Sequence, residues 1–185
     1  LHLDVFETES GDYIDPMPFF QSKIKDTRAP KADGILFFPQ LGKGVVDGKQ
    51  ENKIILPNSE RPVEAWGVIG VGIKAYDYMD GVNNHYGVYS VVLTVDGNEI
   101  FRSTVDRFSQ EENRMINSWT YGQYMKSFID PGNTLRLLKA SNDNRGLVTI
   151  DEERDYQFLY TLKAAFGNTS KYSFTVRGRK QPIEP

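Results

Sequence analysis

Alternating apolar and polar positions predict that this chain folds as an array of β-strands. The clearest pattern runs from Trp66 to Tyr76. Within it Val71, Ile73 and Ala75 lie two residues apart, as residues on one face of a strand do. The glycines of this run have no helix after them, so they indicate close packing or a bulge rather than a phosphate-binding loop. They are Gly67, Gly70 and Gly72.

A β-hairpin is predicted to follow. Val91, Leu93 and Val95 share one face of the next apolar run. Asp96-Gly97 then supplies a two-residue turn, because Gly accepts a positive φ at the second position without a Cβ clash. The segment from Glu99 to Val105 returns as the next strand.

Further short strands are expected on both sides of this hairpin, and the glycine-containing stretch from Gln40 to Lys53 is expected to be a loop or a loose hairpin. The other predicted strands include 34–39, 54–56, 156–164 and 171–176. Many short strands separated by Gly, Asn and Asp turns, without βαβ alternation, predict an all-β fold, an immunoglobulin-like β-sandwich.

A short helical insertion is predicted around 109–129. Ser109 and Glu112 have the spacing of a helix capping box. The aromatic side chains beyond it recur at helical spacing, which is typical of a helix packed over the open end of a sandwich. A sugar-binding surface is the alternative, and its candidate residues are Trp119, Tyr121 and Tyr124.

Composition narrows the function classes. The chain has 185 residues, of which 39% are hydrophobic and 25% charged, and its net charge is −3. It has no cysteine, which excludes disulfides, cysteine nucleophiles and thiolate metal sites. No apolar run approaches the roughly 20 residues of a membrane span, and no basic run suggests nucleic-acid binding. The cluster Arg177–Lys180 is expected to be a solvated strand exit.

Residues with catalytic potential are few. His2 lies in a strand pattern and His85 in a polar turn, and a lone histidine is usually structural or exposed. No nucleophile elbow, P-loop or dinucleotide fingerprint is present. Asp77 and Asp80 suggest either a calcium site, although the EF-hand spacing is absent, or a carboxylate pair for glycoside hydrolysis. Loop acids of this kind are most often turn formers.

The N-terminal sequence LHLDVF followed by YIDPMPFF resembles the end of the catalytic domain of lysostaphin-type zinc metallopeptidases, which cut peptidoglycan cross-bridges. That family has an H-x-H strand near its zinc. The resemblance implies that His2 is the second histidine of this pair, a zinc ligand in the complete enzyme only. The first histidine would precede Leu1. Asp4 stands where the family often has Glu, and Asp15-Pro16 stands where it has Asn-Pro.

The sequence from about Ile24 to Gly178 resembles the β-sandwich extension that follows the peptidase domain in such proteins from Bacteroides-like bacteria. The likeness is carried by DTRAP, RPVEAWGVIGVGIKAYDYMD, YGVYSVVLTVDGNEIF, YMKSFIDPGNTLR and FGNTSKYSFTVRG. It implies three parts, which are the terminal strand and exit segment of a peptidase domain at 1–23, the sandwich at 24–180 and a tail at 181–185. The start at Leu1 indicates a processed product or a piece of a longer protein.

The resemblance therefore implies a non-catalytic accessory module of an exported metalloendopeptidase, in the periplasm or cell envelope of a Gram-negative bacterium. A catalytic zinc needs three protein ligands and an open position. One candidate ligand is present here, so this chain by itself is expected to hold no cofactor and to hydrolyse nothing. The expected partners are the upstream peptidase domain and peptidoglycan or another envelope glycan. A free-standing cell-surface adhesion or carbohydrate-binding domain is the alternative.

Overall fold

The fold is described from a computed structural model, which covers residues 3–113, 128–129 and 146–185. Its strands are β1 (Val5–Phe6), β2 (Tyr13–Ile14), β3 (Lys31–Val46), β4 (Lys53–Ile55), β5 (Val63–Tyr78), β6 (His85–Tyr86), β7 (Ser90–Val95), β8 (Asn98–Thr104), β9 (Arg107–Phe108), β10 (Phe128–Ile129), β11 (Leu147–Ile150), β12 (Asp155–Lys163) and β13 (Thr169–Gly178). A 3₁₀ turn spans Met17–Phe20, and helix α1 spans Gln110–Asn113. The described chain is all-β, as its sequence predicts.

Strand β5 is the centre of the large sheet. Its main path runs in the order β4-β3-β5-β13-β12-β7-β8, and β6, β10 and β11 also pair with β5. β3 runs antiparallel to β5 along most of its length, whereas β13 pairs with it in parallel over Val63 to Ala65 only. The buried residues Val71, Ile73 and Ala75 confirm the face that the alternating pattern predicts.

The sheet curls, so that its inner faces meet across one core. The ring of Phe37 on β3 packs edge-on against Phe174 on β13, with centroids 5.6 Å apart. The hydroxyl of Tyr160 on β12 donates a hydrogen bond to the backbone carbonyl of Val71 on β5. These contacts join strands that are not neighbours in the sheet, because burying apolar side chains requires one sheet face to cover another.

The hairpin between β7 and β8 is confirmed. Asp96 and Gly97 both have positive φ, at 50° and 81°, which matches the twist of the flanking strands. The Asp96 carboxylate also accepts a hydrogen bond of 2.9 Å from the backbone N–H of Gln157 on β12. The turn residue thus links the hairpin to its neighbouring strand.

The stretch from Gln40 to Lys53 is not only a loop. β3 continues to Val46, with an irregular register between Pro39 and Gly44, before a turn at Asp47 and Gly48. Gly44 lies opposite Gly67 of β5, and a Cβ on either glycine would meet the backbone of the other strand. This confirms for Gly67 the prediction that the glycines of β5 serve close packing or a bulge.

The predicted capping box is also confirmed, since the backbone N–H of Ser109 donates to the Glu112 carboxylate at 2.7 Å and the N–H of Glu112 donates to the Ser109 hydroxyl at 3.2 Å. Helix α1 follows directly. The helical insertion does not extend to 129, however, because Phe128 and Ile129 form β10 and pair with Lys74 and Ile73 of β5. Cross-strand pairing overrides the helical spacing there.

The N-terminal segment forms a second, three-stranded sheet in the order β1-β2-β9. β9 follows β8 in the chain, so residues before and after the assumed boundary at 23 share this sheet. The predicted strand from Leu1 to Phe6 is represented by β1 alone among the described residues. In the tail, the carbonyl of Glu184 accepts a hydrogen bond of 2.6 Å from the Gln50 side chain.

Candidate functional site

The small N-terminal sheet is held together by one arginine. Arg107 on β9 donates to the carboxylate of Asp12 from Nη2 at 2.7 Å and from Nε at 3.1 Å. Its Nη2 also pairs with the carboxylate of Glu7 and donates to the Ser10 hydroxyl at 3.2 Å. The hydrogen bond from Arg107 lowers the pKa of Glu7, with help from Ser10. We call this set of four side chains the Arg107 clamp.

Three aromatic rings, one from each strand of the small sheet, pack together beside the Arg107 clamp. The ring of Tyr13 on β2 lies 4.5 Å from that of Phe6 on β1 and 5.2 Å from that of Phe108 on β9. Tyr13 and Phe108 are stacked with an interplanar angle of 18°. The clamp and the rings together tie the segment at 5–14 to β9.

A concavity of about 240 Å³ lies beside this sheet, lined by both carboxylic and apolar side chains. The backbone N–H of Asp15 donates to the carbonyl of Asp106 at 2.9 Å, and the Asp15 carboxylate accepts from the N–H of Met17. Burial raises the pKa of Asp15, and the negative charge of Asp106 adds to that effect. Burial and the same two acids raise the pKa of Tyr89.

The end of β5 brings together a second group of polar residues. Asp77 is only 5% exposed, and its carboxylate accepts a hydrogen bond of 2.9 Å from the backbone N–H of Tyr78. Burial raises the pKa of Asp77 to about 6, against the lowering effect of that hydrogen bond. Asp26 raises this pKa further and Arg28 lowers it. Asp77 therefore titrates closer to neutrality than an ordinary aspartate does.

Aromatic side chains lie on the opposite face of the same strand end. His85 on β6 contacts the rings of Tyr76 and Tyr78, with centroids 4.8 and 5.3 Å away. The guanidinium of Arg28 lies 4.7 Å from the centroid of the Tyr78 ring. Nearby, the Thr27 hydroxyl donates to the Asp80 carboxylate. We call Tyr76, Tyr78 and His85 the aromatic ledge, since His85 is exposed and both tyrosines are half-buried.

Only some of the candidate site residues from the sequence lie in the described part of the chain. His2, the candidate zinc ligand, and Trp119, Tyr121 and Tyr124, the candidate sugar-binding residues, lie outside the described residues. Asp77 and Asp80 are described. Within the described part of the chain, no three or more His, Cys, Asp or Glu side chains are placed to hold a metal ion. No helix in that part is long and apolar enough to cross a membrane.

The Arg107 clamp and the aromatic ledge were not found from the sequence. The partners of Arg107 lie 95 to 100 positions away in the chain, and no local pattern reports such a contact. The ledge had a weak signal in the sequence, because Tyr76 and Tyr78 alternate with buried residues at the end of a predicted strand and His85 follows the next turn.

Comparison with protein-family models, with curated proteins and with solved structures found no match.

Proposed function

We propose that this chain is a non-catalytic accessory module, an immunoglobulin-like β-sandwich, of an exported peptidoglycan metalloendopeptidase of the periplasm or cell envelope. Its task is to hold the preceding peptidase domain, which carries the zinc, in a fixed orientation. The Arg107 clamp is the observation that carries this proposal. A side chain of β9 fixes the exit segment at 7–12, which by resemblance follows the last strand of the peptidase domain.

Exposed apolar side chains support an additional contact with that domain. Leu3 is 56% exposed, Phe6 47% and Phe19 64%, and all three belong to the N-terminal segment. Large apolar side chains left exposed to solvent are candidates for a surface that another domain covers. The upstream peptidase domain of the same polypeptide is the occupant that the resemblance supplies.

The test uses the protein extended upstream as it is encoded, compared with the chain as given. The extended protein should bind zinc and cleave peptidoglycan, and the chain as given should do neither. Arg107→Ala in the extended protein should speed proteolytic cleavage of the segment at 7–15 and reduce hydrolysis of intact peptidoglycan. Arg102→Ala is the matched control, because Arg102 is a half-buried arginine, like Arg107, that pairs with Glu99 of its own strand.

The two variants separate the two parts of the proposal. If the extended protein neither binds zinc nor cleaves peptidoglycan, the proposed link to a peptidase is contradicted. Equal behaviour of the Arg107 and Arg102 variants would remove the orienting role of the clamp while leaving that link intact.

A carbohydrate-binding domain of the cell surface is the second candidate, and the aromatic ledge is the observation that favours it. Sugars stack on aromatic rings that are flanked by hydrogen-bonding groups, here Thr27 and Asp80. Binding of soluble peptidoglycan fragments that is lost in Tyr78→Ala and kept in Tyr13→Ala, whose ring belongs to the three-stranded N-terminal sheet, would favour this function. Absence of binding by the intact chain would contradict it.

A further inference from the structure

A charged concavity lies where the parallel pair of strands begins. It has a volume of about 460 Å³ and is lined by Asp47, Arg61, Pro62, Glu64, Arg177 and Arg179. We call it the arginine groove. It is separate from both the Arg107 clamp and the aromatic ledge, and neither part of the proposed function uses it.

The strand register explains why these arginines converge. In the parallel pair, Arg177 of β13 lies opposite Glu64 of β5, and the backbone N–H of Arg179 donates to the carbonyl of Ala65. Arg177 and Arg179 lie two positions apart, with the buried Gly178 between them, so both side chains leave the outer face. Arg61 reaches the groove from the turn that precedes β5.

Carboxylates orient two of the three guanidinium groups. Arg177 donates to Asp155 from Nε at 2.8 Å and from Nη2 at 3.0 Å. Arg179 donates from Nη1 to Glu64 at 2.9 Å. Each of these pairs uses only part of the donor set, because a guanidinium carries five N–H groups. Both arginines therefore keep donors for another acceptor.

Arg61 differs from the other two arginines. No acid among the described residues forms an ion pair with it. Another cation lies close enough to feel its charge, since Arg61 adds to burial in lowering the pKa of Lys53. Lys53 itself pairs with Asp47. The lining of the groove holds three arginines and two carboxylates, so it carries a net positive charge on a chain whose net charge is −3.

We propose that the arginine groove is a binding site for an oxyanion, a carboxylate or phosphate group carried by an extended ligand. Planar guanidinium groups match the geometry of both oxyanions, and the concave site brings three of them together. Arg61 supplies the charge that the groove does not neutralise internally. Arg177 and Arg179 supply additional donors that are held in place by Asp155 and Glu64. The site does not depend on the link to a peptidase.

The experiment is a titration of the full chain at low ionic strength. Binding is monitored by NMR of the backbone amides and by calorimetry. The probes are a tetraglutamate peptide for carboxylates and inorganic pyrophosphate for phosphates. We expect chemical-shift changes confined to residues around Arg61, Glu64 and Arg177. Binding in Arg61→Gln should be weaker by about tenfold, as expected when a charge-assisted hydrogen bond is lost.

Arg102→Gln is the control, because Arg102 is an arginine on the edge strand β8 that does not line the groove. It should bind the probes as the native chain does. Binding of tetraglutamate alone identifies a carboxylate ligand, and binding of pyrophosphate alone identifies a phosphate ligand. The proposal is overturned if neither probe binds, if the shifts lie elsewhere, or if Arg61→Gln and Arg102→Gln behave alike. Arg61 is exposed, so its replacement should leave the thermal unfolding transition unchanged.

Discussion

The hydroxyl of Tyr160 donates a hydrogen bond of 2.9 Å to the backbone carbonyl of Val71, and both residues are fully buried. Their strands, β12 and β5, are not hydrogen-bonded neighbours, because β13 lies between them in the sheet. The bond therefore spans the core and joins two parts of the curled sheet. A buried polar group needs such a partner, since leaving it unpaired costs free energy.

Tyr160→Phe should lower the free energy of unfolding by about 1–2 kcal/mol, because it leaves the Val71 carbonyl without this donor and keeps the ring. Urea unfolding followed by circular dichroism measures the change. Tyr86→Phe is the control, since the Tyr86 hydroxyl makes no hydrogen bond with any described residue. Equal stability losses in the two variants would show that the cross-core bond contributes nothing.

Asp77→Asn should change how stability depends on pH. The folded pKa of Asp77, about 6, lies above the ordinary value of 3.8, so the folded state holds its proton more tightly than the unfolded state does. The stabilisation of the folded state that comes from this tighter proton binding is fully present below about pH 4 and is lost as the pH rises through about 6. Relative to the native chain, Asp77→Asn should therefore gain about 2 kcal/mol in stability between pH 4 and pH 7.

Urea unfolding of the native chain and of Asp77→Asn at several pH values measures this difference. Asn keeps an acceptor for the Tyr78 N–H, so the comparison isolates the charge. Asp33→Asn controls for the loss of one exposed carboxylate on β3. If the native chain and Asp77→Asn respond to pH in parallel, the carboxylate of Asp77 does not titrate in this range.

The parts of this fold that the sequence predicts are those with local signals. The period of two along β5 and β12 identifies their buried faces, because neighbouring side chains on a strand point to opposite sides. The turn at Asp96-Gly97 and the capping box at Ser109 are likewise set by residues within three positions of each other.

The parts that could not be predicted depend on distant residues. The short parallel pairing of β5 with β13 follows from how the sheet curls, and no residue near Val63 reports it. Likewise, the glycines around Gly44 indicate only a loop or a loose hairpin, although β3 resumes its pairing with β5 there after an irregular step. The Arg107 clamp requires two segments about a hundred positions apart to meet before its charges have partners.

Asp96→Ala should destabilise the chain by about 2 kcal/mol. It removes the acceptor for the Gln157 N–H and places alanine at a φ of 50°. Asp96→Asn should cost far less, because Asn tolerates that φ and keeps a side-chain oxygen for Gln157. Asn gives up only the partly exposed ion pair with Arg154, which contributes little. Thermal unfolding compares the variants, and similar losses for Ala and Asn would assign the stabilisation to the ion pair instead.

Gly67→Ala should be the most damaging of these substitutions, with a loss of about 3 kcal/mol or more. Gly67 has a φ of 77°, and a Cβ there would run into the carbonyl oxygen of Lys43 and the side chain of Ile183. Two penalties thus coincide, one from backbone strain and one from overpacking between β3 and β5. Gly87→Ala is the matched control, because a Cβ at Gly87 would meet no atom within 4 Å.

Urea unfolding should place Gly87→Ala within about 0.5 kcal/mol of the native chain. A soluble Gly67→Ala protein with native stability would mean that β3 and β5 do not approach this closely at Gly44. If Gly67→Ala does not fold, Gly44→Ala provides the independent check, since its Cβ would meet the carbonyl of Val68 from the opposite strand. Both substitutions should then lower the yield of folded protein, because they test the same backbone contact from its two sides.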